Sequence, residues 1–104
     1  MNMLSLRLSR EAERDLEKIG EWIAEQNPVR ARTFVREIRA DCEGLKSMPN
    51  RFSKVRPDSD LRRMVHGNYL IFFRFSGNVV DIARILHGAM DYERILFPED
   101  GGEA

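Results

Sequence analysis

The chain has 104 residues, of which 42% are hydrophobic and 33% charged, and Lys plus Arg balance Asp plus Glu at 17 each. This size and composition indicate one small globular domain, and the zero net charge excludes a protein that binds nucleic acid through its overall charge. Charge is unevenly spread, because residues 28–63 carry ten Lys and Arg against five Asp and Glu, and this excess predicts a one-sided basic patch.

Several protein classes are disfavoured by what the sequence lacks. A single cysteine, Cys42, excludes an intramolecular disulfide and suits a reducing compartment. No Cys and His residues have metal-ligand spacing, and no signal peptide is recognisable. The longest apolar run, YLIFF at residues 69–73, is far shorter than the ~20 residues that span a bilayer. We therefore expect a cytoplasmic protein that uses no metal and no cofactor and does not contact a membrane.

The first half of the chain predicts a strand followed by a helical hairpin. Alternating residues in Met3–Leu8 predict the strand, and Ser9 is a suitable N-cap for a helix that ends near Gln26. Pro28 can begin a second helix that runs to about Ser47, so the short Asn27-Pro28 turn predicts an antiparallel pair. The apolar stripe predicted for this second helix comprises Ala31, Phe34, Ile38, Cys42, Leu45 and Met48.

The second half predicts an antiparallel meander of three strands, over residues 61–66, 69–75 and 79–87. Two-residue turns at Gly67-Asn68 and Gly77-Asn78 would connect them. In that register Arg74 lies opposite Asp81 as an ion pair, Phe72 opposite Ala83, and Ile71 opposite Arg84.

The predicted fold is α+β with two layers. It comprises an N-terminal strand, an antiparallel α-hairpin, the three-stranded meander and a short C-terminal helix. The domain would span residues 1–98, with a disordered acidic tail at 99–104. Both faces of the central strand are apolar, and the two helices can cover only one of them. Either residues 91–97 or a partner would cover the other.

The chain resembles the ParE/RelE superfamily of toxins from type II toxin–antitoxin modules, over about residues 6–97. The ending from leucine and histidine through glycine and alanine to aspartate is similar to the ParE branch in particular. The matching segments are EAERDLEKIGEWIAEQNP, Ala31 and Phe34, LKSMPNRF, LRRMVHGNYLIFFRF and DIARILHGAMDYERILF.

The two branches imply different activities. The ParE branch implies a toxin that inhibits DNA gyrase and is neutralised by a ParD-like antitoxin, whereas the RelE branch implies an endoribonuclease that cuts mRNA on the ribosome. RNA cleavage needs positive charge and proton transfer at the phosphate. The positions where the RelE branch supplies these groups hold Leu70, Met90 and Leu96. We therefore expect no enzymatic activity and no catalytic residues. An open sheet-side cleft that holds three or more cationic or proton-transferring side chains within reach of one another would contradict this expectation.

The remaining polar candidates have plain structural explanations. His87 ends the last strand and is expected to be half-buried and bonded to backbone, and His66 is expected at the surface. Arg84 lies among apolar strand residues and needs a carboxylate, which could come from a helix, for example Asp15, or from an antitoxin.

The resemblance implies a toxin that acts by binding, in a tight complex with its antitoxin, as a heterotetramer or larger, and without direct nucleic-acid binding. A ribosome-dependent ribonuclease and a non-toxic binding module remain the alternatives. Candidate residues for contacts with antitoxin or target are Trp22, Arg32, Arg36, Arg39, Leu70, Phe72, Arg84, His87, Met90 and Tyr92.

Overall fold

The computed structural model describes residues 4–101, so Met3 of the predicted first strand and residues 102–104 of the predicted tail lie outside the described residues. The chain folds as the predicted α+β domain. Its elements are β1 (Ser5–Leu8), α1 (Arg10–Ala24), α2 (Pro28–Gly44), β2 (Arg62–His66), β3 (Tyr69–Ser76), β4 (Val79–His87), α3 (Tyr92–Leu96) and α4 (Pro98–Gly101). None of the helices in this range is both long and apolar enough to cross a membrane. The single turn of α4 occupies the start of the predicted tail, whose disorder stays a prediction.

The helical hairpin begins and turns at the predicted residues. The Ser9 hydroxyl accepts the Ala12 N–H at 2.9 Å, and the Asn27 side chain accepts the Arg30 N–H at 3.0 Å, so each helix has a side-chain N-cap. The second helix ends three residues earlier than predicted, at Gly44. Met48, just before Pro49, adopts a left-handed backbone with φ of 57°, which takes it off the apolar stripe and leaves its side chain 65% exposed. The prediction that Met48 completes the core stripe is wrong.

The sheet has four strands in the order β1-β4-β3-β2, with β1 parallel to β4 and the other pairs antiparallel. Both hairpins have the predicted two-residue turns, and Gly67 and Gly77 each adopt φ of 59° at the first turn position. Such a positive φ is what a type II′ turn requires there.

A β-bulge changes the predicted register of β3 and β4. Arg74 does lie opposite Asp81, but the register shifts between Phe72 and Phe73, so Phe72 lies opposite Arg84 and Ile71 opposite Ile85. The predicted pairings of Phe72 with Ala83 and of Ile71 with Arg84 are therefore wrong. Ala83 is the extra residue, and its carbonyl accepts a hydrogen bond from the Ser9 hydroxyl at 2.8 Å.

Two predictions about surface polar residues are also wrong. Arg74 does not pair with Asp81, because Asp81 accepts from Arg7 of the neighbouring β1 at 2.6 Å and Arg74 donates to Asp60 at 3.0 Å. His66 is not a plain surface residue. Its Nδ1 lies 2.5 Å from a carboxylate oxygen of Asp41, and its ring contacts Phe34 edge-on at 5.2 Å between centroids.

Each face of the sheet has its own apolar core. The first core cluster, between the sheet and the helical hairpin, contains Ala12, Leu16, Ile19, Phe34, Ile38, Cys42, Leu45, Ile71, Phe73, Val80, Ile82 and Ile85. The second core cluster lies on the opposite face. It contains Leu61, Phe72 and Leu86, which are covered by half-buried Val55, Leu70, Ala83, Tyr92, Ile95, Leu96 and Phe97. The C-terminal segment, and not a partner, therefore covers most of the second face.

Candidate functional site

A pocket of about 330 Å³ lies between α1 and the end of β4, and we call it the sheet-end pocket. It brings together four of the ten candidate residues, Trp22, Arg84, His87 and Met90. Trp22 is 68% exposed and Met90 is 46% exposed, so both present apolar surface to solvent. The other lining residues are Asp15, Lys18, Ile19, Tyr69, Ile85 and Leu86.

An ion pair between Asp15 and Arg84 forms the floor of this pocket. Arg84 donates from Nε and Nη2 to the two carboxylate oxygens of Asp15, at 2.8 and 2.9 Å. The backbone N–H of Ile85 also donates to Asp15, at 2.9 Å. The hydrogen bonds to Asp15 raise the pKa of the Arg84 guanidinium. Of the two partners that the sequence left open for Arg84, the structure selects the carboxylate from α1.

His87 has the structural role that the sequence predicted. Its Nδ1 accepts the backbone N–H of Ala89 at 3.0 Å, and its ring contacts Tyr69 edge-on at 5.1 Å between centroids. Because Nδ1 accepts, the neutral ring carries its proton on Nε2. Burial raises the pKa of the Tyr69 hydroxyl above its ordinary value.

The polar content of the sheet-end pocket bears on catalysis. Lys18, Arg84 and His87 line it together with Tyr69. The pocket therefore holds as many cationic or proton-transferring side chains as the condition against a purely binding role names. Their chemistry is restricted, however, because Asp15 neutralises Arg84 and His87 Nδ1 is already bonded. The pocket also lies on the α1 side of the sheet, whereas Leu70 and Leu96 belong to the second core cluster on the other side.

A second cleft, which we call the hairpin groove, runs between α1 and α2 with a volume of about 760 Å³. Its α1 wall carries Glu13, Glu17 and Glu21, and its α2 wall carries the predicted contact residues Arg32, Arg36 and Arg39. Arg39 donates to Glu13 at 2.9 Å at one end. The remaining lining residues are small or apolar: Leu16, Gly20, Ala24, Pro28, Ala31 and Val35.

The other three candidate residues belong to the second core cluster. Phe72 is 0% exposed because the C-terminal segment covers it here, and its contact with a partner stays a prediction. Leu70 is half-buried in the same cluster. Tyr92 is half-buried as well, with its ring 5.3 Å from that of Phe72 and its hydroxyl accepting from Arg63 at 2.9 Å.

Sequence reasoning missed the acidic wall of the groove. Glu13, Glu17 and Glu21 recur every four residues, which places them on one side of α1, and that spacing could have been combined with the arginines of α2. It also missed Lys18 and Tyr69 in the sheet-end pocket, for which no local signal exists. Among residues 4–101 no group of three or more His, Cys, Asp and Glu side chains is arranged to hold a metal ion.

Comparison with known proteins identifies the family to which this chain belongs. The family model described as the ParE toxin of the type II toxin–antitoxin system parDE matches residues 6–92. The chain belongs to this family of toxins. No curated protein sequence matches the toxin.

The toxin is also similar in fold to solved structures of toxin–antitoxin proteins. It matches a chain of the chromosomal ParDE system from P. aeruginosa with a TM-score of 0.72 and 24% identity, over 82% of this chain and 96% of that chain. It matches a chain of the RelBE2 complex from Mycobacterium tuberculosis with a TM-score of 0.63 and 21% identity, over 82% and 98%. A chain of the RelB–RelE complex from Methanococcus jannaschii matches with a TM-score of 0.51 and 18% identity, over 89% and 96%.

Proposed function

We propose that this toxin inhibits DNA gyrase in the cytoplasm by binding it, without catalysis, and that a ParD-like antitoxin neutralises it in a heterotetramer or larger complex. The observation that carries the proposal is that the positions where a ribonuclease would need charged or proton-transferring side chains hold an arginine already paired with a carboxylate and two apolar leucines. Arg84 is bonded to Asp15 at 2.8 and 2.9 Å, and Leu70 and Leu96 are half-buried among apolar side chains. Neither leucine can carry charge or transfer a proton.

The two clefts suit two different contacts. The hairpin groove has the length and apolar floor to accept an amphipathic helix of an antitoxin. The sheet-end pocket presents exposed Trp22 and Met90 beside a neutralised ion pair. Large exposed apolar side chains are unusual on a monomer surface when they cluster, and aromatic residues are enriched at protein interfaces. We assign the sheet-end pocket to the target.

A supercoiling assay with purified gyrase tests this proposal. Adding the toxin is expected to block supercoiling, and the double variant with Trp22→Ala and Met90→Ala is expected to weaken inhibition at least about tenfold, as loss of interface anchors does. Val65→Ala is the matched control, because Val65 is 64% exposed on β2, away from both clefts. Full supercoiling at toxin excess over gyrase would refute the proposed target.

A ribosome-dependent ribonuclease is the second candidate, favoured by the meeting of Lys18, Tyr69 and His87 in one pocket. Primer extension on mRNA from cells that express the toxin separates the two functions. Cuts within codons at the ribosomal A site that disappear with His87→Ala would replace the binding mechanism by a catalytic one. Unimpaired growth after induction of the toxin alone would instead indicate a non-toxic binding module.

A further inference from the structure

Opposite charges are sorted onto the two walls of the hairpin groove. Glu17 and Glu21 lie one helical turn apart on α1, and Arg32 and Arg36 lie one turn apart on α2. All four are exposed, and within residues 4–101 no ion pair involves any of them. The groove therefore has an acidic wall and a basic wall whose charges are available to a third element.

The antiparallel hairpin places the acidic and basic side chains opposite one another, at matching positions along the groove. The ion pair between Glu13 and Arg39, at 2.9 Å, fixes the relative height of the two helices. Continuing by one and two turns from this pair sets Glu17 level with Arg36 and Glu21 level with Arg32. Since Glu13 and Arg39 already bind each other, they close one end of the groove, and the open part extends from Glu17 toward the turn between the helices.

The floor between the walls is low enough for side chains of a third helix to enter. A Cβ atom built on Gly20 would lie 3.3 Å from Val35 Cγ2, so the two helices touch there and leave only small or apolar surface facing outward. A leucine-sized side chain of a bound helix can rest on Gly20 and Ala24 between the charged rows. The groove thus combines an apolar seam with two flanks of opposite sign.

We propose that the hairpin groove sets the direction in which an antitoxin helix binds, by selecting a helix with an acidic flank and a basic flank on either side of an apolar seam. This inference rests on the proposed antitoxin partner. The acidic flank must lie beside Arg32 and Arg36, and the basic flank beside Glu17 and Glu21. Turning the helix end for end exchanges its flanks and places like charges together, which disfavours the reverse orientation.

A different arrangement of charge fits less well. A helix that is acidic on both flanks would place carboxylates next to Glu17 and Glu21. A second copy of the toxin docked groove to groove would match charges, but it would bring only another narrow seam of small residues to the floor and leave it unfilled. Charge complementarity therefore disfavours a helix with two acidic flanks, and the filling of the floor disfavours a second copy, so a single helix with flanks of opposite charge fits best.

Three stapled helical peptides of about 15 residues, enough to span α1 at 1.5 Å per residue, test the proposal on the full chain. All have a leucine seam and the same composition. The first has Glu on one flank and Lys on the other, the second has these flanks exchanged, and the third mixes both charges on each flank. The first two are expected to bind with equal affinity, and the third about tenfold more weakly, as expected for loss of several exposed charge pairs.

Direction is measured with a paramagnetic label at the N-terminus of each peptide. The first two peptides are expected to broaden backbone amide signals at opposite ends of the groove, near Glu13 for one and near Ala24 for the other. The quadruple variant Glu17→Arg, Glu21→Arg, Arg32→Glu and Arg36→Glu is expected to exchange these two patterns. The matched control, Glu93→Arg with Arg94→Glu on α3, is expected to leave them unchanged.

Equal affinity for all three peptides, or the same broadening pattern for the first two, would overturn the proposal. Sedimentation showing a toxin dimer, with no peptide bound, that is lost in the double variant Glu17→Arg and Glu21→Arg, whose two walls are both basic, would assign the groove to a second copy instead. The test is independent of gyrase. Inhibition without directional peptide binding refutes only the inference, and directional binding without inhibition refutes only the proposed target.

Discussion

Asp15 is the residue on which the sheet-end pocket depends most. It is 8% exposed and accepts three hydrogen bonds, two from Arg84 and one from the Ile85 backbone. A buried carboxylate saturated in this way holds α1 against β4 and at the same time neutralises the only arginine in the pocket. Removing it leaves a half-buried guanidinium and a backbone N–H without acceptors.

Asp15→Ala is expected to lower the free energy of unfolding by about 3 kcal/mol, because it breaks a buried ion pair from one side. Urea denaturation measures the loss. Glu13→Ala removes the carboxylate of an exposed pair on the same helix, and its effect is expected to be much smaller. Equal losses for the two variants would mean that burial of Asp15 is energetically unimportant.

Cys42 provides a prediction about pH. Burial raises the pKa of its thiol from 9.0 to about 12. Above pH 9 the thiol ionises in the unfolded chain but not in the folded one, so the unfolded state binds fewer protons and stability falls as pH rises toward 12. Urea denaturation between pH 8 and pH 10 is expected to show a steeper loss of stability for the toxin than for Cys42→Ala. Identical pH slopes would contradict the raised pKa.

At the scale of elements, the helices and turns could be predicted from neighbouring residues in the sequence, whereas the β-bulge involves contacts between residues distant in sequence and could not. Ser9, Asn27 and Pro28 mark the helix starts, and the two Gly-Asn turns mark the hairpins, because caps and turns depend on neighbouring residues. At the bulge in β4 the Ala83 carbonyl accepts from the hydroxyl of Ser9, a residue distant in sequence, and no pattern within β4 indicates the bulge.

The candidate site divides in the same way. The partner of Arg84 could be anticipated, since a half-buried arginine needs a carboxylate and Asp15 lies on the apolar side of α1. The meeting of Trp22, His87 and Met90 could not, because it depends on how α1 crosses the end of β4. Phe72 was assigned to a binding surface because the sequence did not show that α3 would cover that face.

Two glycines of different elements are expected to respond with opposite signs to alanine. Gly67 adopts φ of 59°, so Gly67→Ala is expected to destabilise the toxin by about 1 kcal/mol. Gly44 lies in the last turn of α2 with no atom within 4 Å of an added Cβ, so Gly44→Ala is expected to stabilise it by about 0.5 kcal/mol. Thermal unfolding of both variants measures the signs, and equal signs would contradict the assigned backbone conformations.

At the scale of the whole molecule, one sheet separates two cores that differ in how they are covered. The helical hairpin covers the first core cluster. The second is covered by the short α3 and the residues around it, held by the Arg63–Tyr92 hydrogen bond of 2.9 Å and by Arg56 lying 4.1 Å from the centre of the Phe97 ring. Because α3 has only five residues, its attachment depends on these side chains and not on helix stability.

The double variant Tyr92→Ala and Phe97→Ala is expected to uncover Phe72 and Leu86, to lower stability by about 3 kcal/mol and to increase binding of an apolar dye. The dye signal and urea denaturation are measured together. Glu93→Ala with Arg94→Ala, on the exposed side of α3, is the control and is expected to change neither. A double variant that binds no more dye than the control would show that α3 does not cover the second core.

The single extra residue in β4, Ala83, exchanges the faces on which odd-numbered and even-numbered residues of that strand lie. Before the bulge the even-numbered Val80 and Ile82 lie on the side of the helical hairpin. After it the odd-numbered Ile85 and His87 lie on that side, whereas Leu86 borders the pocket but packs into the second core cluster. A chain one residue shorter at this point would keep its composition, its helices and its turns. Yet it would send His87 to the opposite side of the sheet and turn the Leu86 side chain from the second core cluster toward the helical hairpin. Which side chains this toxin presents at the end of its sheet therefore depends on the number of residues in β4 as much as on their identity.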